Sequence, residues 1–81
     1  MDAFSKIAVE GMIRKYGNVE ETYRNFGGYD VFVLSNGVTI RLPIGYARIP
    51  YDHVELIAQV KLDIPQWEFD YWIGQQPNDI N

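Results

Sequence analysis

The sequence predicts a small α+β domain. It comprises two N-terminal helices, a β-hairpin (30–35 and 38–43, with a third strand open to 45–49) and two C-terminal helices packed on the sheet. Three observations carry that expectation. An apolar stripe at helical spacing runs from Ala3 to Tyr16. Two β-branched runs flank Asn36-Gly37 in DVFVLSNGVTIRLP. Two apolar segments with helix-terminus signals follow Pro50.

The first helix rests on phase. Stepped at ~100° per residue, Phe4, Ala8, Val9, Met12, Ile13 and Tyr16 share one face. Lys6, Glu10 and Arg14 take the other, and Gly17 is placed to end the helix. Asn18 and Glu21 then have capping-box spacing, and Val19, Tyr23 and Phe26 follow at helical intervals before Gly27-Gly28. Residues 18–26 therefore read as a short helix. A strand stays open as the alternative, because nothing from Val19 to Tyr23 is hostile to one.

Asn36-Gly37 suits a type I′ turn, which needs positive φ at both central positions. A two-residue loop sets Leu34 opposite Thr39, Val33 opposite Ile40 and Phe32 opposite Arg41. The predicted core face is then Val31, Val33, Val38, Ile40 and Leu42. Phe32 and Leu34 fall on the other face, which is too apolar for open solvent and is expected to meet a helix or a partner. Pro43 ends the run.

Asp52 and Glu55 repeat the capping-box spacing, with Tyr51 and Leu56 as a hydrophobic staple. The stretch IPQWEFDYWIG, residues 64–74, fits two periods. At period two, Trp67, Phe69, Tyr71 and Ile73 alternate with Gln66, Glu68 and Asp70. At period 3.6, the terminus signals favour a helix. Asp63 stands as N-cap with Gln66 three residues on, Pro65 sits in the first turn, and Gly74 closes the end. On that wheel, apolar side chains cover more than half the circle, Glu68 falls between Tyr71 and Trp72, and only Gln66 and Asp70 form a solvent strip. A helix so widely apolar is enclosed by its own domain or shared with another chain.

Composition narrows the class. The chain has 81 residues, 47% of them hydrophobic and 22% charged, which fits one globular domain over 1–81 with residues 74–81 as a polar tail. It has no cysteine, which excludes a disulfide scaffold and thiolate metal sites and suits a cytoplasmic location. No apolar run approaches the ~20 residues of a membrane span. Residues 1–51 hold six Lys/Arg against five Asp/Glu, whereas residues 52–81 hold one Lys against six Asp/Glu. An acidic C-terminal part repels phosphate and attracts basic surfaces.

Catalytic and cofactor chemistry finds no footing in the sequence. His53, the only histidine, sits in a helix first turn with no local spacing of further ligands. Glu68 and Asp70 diverge on a helix and cannot act as a carboxylate pair. FGGYD lacks the lysine of a phosphate-binding loop. The expectation is a protein that is not an enzyme and holds no metal or cofactor.

Two resemblances bear on nucleic acids. LIAQVKLDIPQWEFDYWI, residues 56–73, resembles a helix-turn-helix, but the segment in the recognition-helix place carries Glu68 and Asp70 and no Arg or Lys. A short helix, then strands, then a closing helix resembles HicA-like toxins, small RNA-cleaving proteins with a double-stranded-RNA-binding-like fold. Their Gly-Ser-His stretch corresponds here to Gly27-Gly28-Tyr29, which has no histidine. Direct nucleic-acid binding is therefore not expected.

The sequence thus points to a non-catalytic interaction protein. Its aromatic, acidic C-terminal part would dock on a basic protein surface, as a phage or mobile-element inhibitor of a host nucleic-acid-binding protein would. Trp67, Glu68, Asp70, Tyr71, Trp72, Phe32 and Leu34 are the candidate contact residues. A self-associating structural or regulatory module, with a second copy as the partner, is one alternative, and a degenerate helix-turn-helix or HicA-like nucleic-acid-binding protein is the other.

Overall fold

The computed structural model describes residues 3–76. The chain runs through β1 (Ala3–Ser5), α1 (Lys6–Tyr16), β2 (Val19–Asn25), β3 (Tyr29–Leu34), β4 (Thr39–Pro43), β5 (Arg48–Pro50), α2 (Tyr51–Leu56) and α3 (Gln66–Gln75). The helix α2 continues as a π-helical segment, Ile57–Lys61. Strands β2, β3 and β4 form an antiparallel meander in that order, and β1 pairs with β5 in a separate two-stranded ribbon. The fold is α+β as expected, with three helices and two sheets in a different layout from the predicted one.

The N-terminal helix begins later than its stripe suggests. Ser5 caps it, its Oγ accepting from the Ala8 N–H at 3.1 Å. Val9, Met12 and Ile13 are buried, as the phase requires. Ala3–Ser5 instead pairs with Arg48–Pro50, and Phe4 reaches the core from a strand. Gly17 acts by close approach rather than by a left-handed turn. Its φ is −107°, and a Cβ there would lie 2.8 Å from the Ile13 carbonyl oxygen and 2.9 Å from Leu62 Cδ2.

The predicted second helix over 18–26 is the strand β2. A two-turn helix is marginal without a face to bury, whereas residues 19–25 pair along the whole of β3. Asn25 closes that hairpin: its Oδ1 accepts from the N–H groups of Gly27 and Tyr29, and Gly28 takes φ 90°.

The hairpin is present, but its register is shifted by one residue. Phe32 stands opposite Ile40 and Val33 opposite Thr39. The loop has three residues, not two. Gly37 N–H donates to the Leu34 carbonyl and Leu34 N–H to the Val38 carbonyl. Only Gly37 has positive φ, and Asn36 Oδ1 accepts from Val38 N–H. This is a type I turn closed by a glycine bulge. A one-residue slip exchanges the two faces of a strand. Phe32, Leu34, Ile40 and Leu42 accordingly face the core, at 4% exposure or less.

The expected third strand over 45–49 falls at Arg48–Pro50 and joins β1 rather than the hairpin. Neither acidic capping box forms. Pro50 caps α2 and Pro65 caps α3, each without a side-chain cap bond. Asp63 sits in the connection with φ 56°, and α3 runs through Gly74 to Gln75. Residues 77–81 of the predicted tail lie outside the described residues. The core is one cluster joining α1, the meander and the C-terminal helices, and its centre is aromatic. Phe4 lies 5.2 Å from Trp72, Phe69 stacks 6.2 Å from Trp72, and Tyr51 closes the group at 6.0 Å from Phe69. At the sheet end, Lys6 Nζ donates to Asp30 Oδ2 at 2.8 Å and to the Pro43 carbonyl at 3.0 Å, tying α1 to β3 and β4. No described helix is long and apolar enough to cross a membrane.

Candidate interaction surface

Helical phase divides the aromatic residues of α3. Phe69 and Trp72 point inward at 0% and 4% exposure. Trp67 and Tyr71, one turn apart on the far side, are 70% and 58% exposed. Residues at i and i+4 are neighbours on a helix, so these two rings form a single stripe. Gly74 follows on the same side, and a Cβ built there would meet nothing within 4 Å. The stripe therefore ends in a flat patch. Gln75 Nε2 donates to Tyr71 Oη at 3.0 Å and fixes the phenol end.

Carboxylates border the stripe. Asp70 is exposed and accepts from Gln66 Nε2 at 2.9 Å, and Gln66 in turn accepts from Gln59 on the π-helical segment. Glu68 is half-buried at the boundary between the stripe and the core, and Asp63 is exposed in the connection before α3. The phenol of Tyr51 senses one of them, Asp70, together with two carboxylates of α2. Burial chiefly, and then Glu55, Asp70 and Asp52, hold its pKa above the usual tyrosine value. Carboxylates from α2 and α3 thus bear on one partly buried hydroxyl.

The seven predicted contact residues therefore separate. Trp67, Asp70 and Tyr71 are on the surface, with Glu68 at its margin. Trp72, Phe32 and Leu34 are core residues, Phe32 and Leu34 because of the register shift. Phe32 is further covered by Arg14, whose guanidinium lies 5.6 Å from its ring centroid. The structure adds exposed apolar residues outside that set. Leu56 and Val60 are 52% and 65% exposed one turn apart, and Phe26 is fully exposed at the tip of the β2–β3 turn. Leu56 carries the sequence signal of a staple and Phe26 that of a helix, and neither signal survives in the fold.

His53 borders a shallow groove with Thr39, Arg41, Leu56 and Lys61. Among the described residues no cluster of three or more His, Asp or Glu is placed to hold a metal ion. The side of α3 that a recognition helix would turn outward carries Trp67, Asp70 and Tyr71, with no basic residue. Compared with protein-family models, curated proteins and solved structures, the chain matches none.

Proposed function

We propose that this protein is a non-catalytic interaction module whose exposed α3 stripe docks on a basic protein surface. The observation that carries this reading is the pair Trp67 and Tyr71, both more than half exposed on one helix face and bordered on that helix by Asp70 and Glu68. Large aromatic rings are typical anchors of interface hot spots, and surrounding charge of one sign steers a partner of the other sign. The occupant is a protein with a cationic groove. A nucleic-acid-binding surface has that chemistry, and a small phage or mobile-element inhibitor that competes with nucleic acid there is the form we favour.

The test is affinity capture from a lysate of the source cells, with wild type beside a Trp67→Ala/Tyr71→Ala variant. Captured proteins are then challenged with duplex DNA or RNA. Partners lost in the variant and displaced by nucleic acid support the proposal. Identical capture by both chains, or partners indifferent to polyanions, would remove it.

A further inference from the structure

A second surface is independent of the α3 stripe. Strand β2 is an edge of the meander, and no described strand pairs with its far side. It is seven residues long and mostly exposed. Such an edge presents unpaired backbone donors and acceptors to any strand that fits it. Above it, α1 leaves an open cleft lined by Glu10, Arg14, Thr22, Arg24 and Asp30.

We propose that β2 pairs antiparallel with β2 of a second copy, across a two-fold axis at Thr22. The residues of β2 select that occupant. With Thr22 opposite itself, Glu21 faces Tyr23, Glu20 comes alongside Arg24, and, beyond the bulge at Glu20, Phe26 comes alongside the Gly17–Asn18 connection, each contact occurring twice. Opposite charges across a strand pair are favourable and like charges are not. A parallel alignment sets Glu20 and Glu21 against themselves, and centring on Glu21 repeats that fault. The groups that would meet are free to do so. Glu20 lies in a bulge between Val19 and Glu21, outside the ladder to β3. Arg24 is 72% exposed, and only its Nε is engaged, donating to Asp30 at 2.8 Å. Its two Nη groups remain to bind a carboxylate in the two-pronged manner of arginine.

Phe26 supplies an apolar contribution. It is fully exposed on one copy, and the Thr22-centred register brings it to the Gly17–Asn18 connection of the other. Beside Asn18 opens a groove lined by Tyr16, Leu34, Lys61 and Leu62. The same patch thus meets itself, as a two-fold interface requires, and the three-stranded meander becomes a six-stranded sheet.

The experiment is mass in solution over a concentration series, by light scattering and sedimentation equilibrium. Wild type is expected as a dimer at high concentration. Glu20→Arg alone and Arg24→Glu alone each create like-charge pairs and are expected to weaken the dimer by about tenfold or more. An equimolar mixture of the two restores opposite charges at both contacts and is expected to recover a heterodimer. Phe26→Ala, which removes a side chain with no cover in the single copy, is expected to weaken the dimer while leaving the melting temperature of the monomer unchanged. The Trp67→Ala/Tyr71→Ala variant is expected to keep the wild-type mass, which separates this proposal from the α3 reading. Because the chain has no cysteine, Thr22→Cys offers a second measurement. Opposed residues in a strand pair have Cα atoms about 4.5–5.5 Å apart, within disulfide range. Under mild oxidation Thr22→Cys is expected to cross-link far faster than Asp52→Cys, a control exposed on α2. A wild type that stays monomeric, a charge-swap mixture that fails to pair, or equal cross-linking at both positions would overturn the proposal.

Discussion

Phe69 and Trp72 are enclosed, whereas Trp67 and Tyr71, within the same two turns of α3, are more than half exposed. The four residues have similar chemistry, so hydrophobicity does not separate them. Position around the helix does. One pair fills the aromatic core against Phe4 and Tyr51, and the other stays on the surface. In a small domain the same residue type can serve stability or recognition, according to an angular step of about 100° per residue.

The contrast breaks most sharply on the buried side. Phe69→Ala is expected to cost about 3–5 kcal/mol, a large share of the total stability of a small domain, and thermal unfolding followed by circular dichroism will read it. An equal loss on replacing Trp67 would erase the distinction between the pairs.

A pH experiment comes next. The Tyr51 pKa is raised, chiefly by burial. The folded state therefore holds that proton more tightly than the unfolded chain. This contribution is complete below the unfolded value near 10 and is lost as pH rises through the folded value. Denaturant midpoints measured above pH 10 are expected to fall, and Tyr51→Phe is expected to flatten that limb.

Smaller effects belong to the exposed side. Gly74→Ala is expected to raise stability by about 0.5 kcal/mol, since the helix prefers alanine and the added methyl has open space. Trp67→Ala and Tyr71→Ala are each expected within about ±0.5 kcal/mol of wild type in the same unfolding assay. Glu68→Lys with Asp70→Lys is expected to leave the fold intact. It should slow association with the captured partner at low salt, and the difference should shrink as salt is added. An association rate insensitive to both changes would strip the acidic border of its steering role.

Much of this was legible in the sequence where periodicity and burial agree. Val9, Met12 and Ile13 mark the inner face of α1, and the helical choice for Trp67–Ile73 holds although the same residues alternate at period two. Failures arose where a local signal has two structural meanings. Asn18 and Glu21 have capping-box spacing, but that spacing carries no information about β3, whose whole length pairs with residues 19–25. Asn-Gly serves a type I′ turn, and it equally serves a type I turn with a glycine bulge. The choice between them moves Phe32 and Leu34 from one face to the other. The ribbon of β1 and β5 was not legible, because Phe4 lies on the α1 stripe and its true neighbour, Ile49, is far along the chain. The candidate surface divides in the same way: of its helical members Trp67, Asp70 and Tyr71 are on the surface and Trp72 is in the core, and both strand members, Phe32 and Leu34, are in the core.

That ribbon also bears on the order in which the chain folds. The meander is assembled from two hairpins closed by short loops, so its contacts link residues near in sequence. The pairing of Ala3–Ser5 with Arg48–Pro50 closes a loop that spans most of the molecule, including α1 and the whole meander. Closing a long loop is entropically costly before its contacts form, and distant pairings slow folding. The meander is therefore the expected nucleus, with the ribbon zipped late. A weakening substitution at Ile49, such as Ile49→Val, should chiefly accelerate unfolding and leave the folding rate nearly unchanged. The same substitution at Ile40 should slow folding.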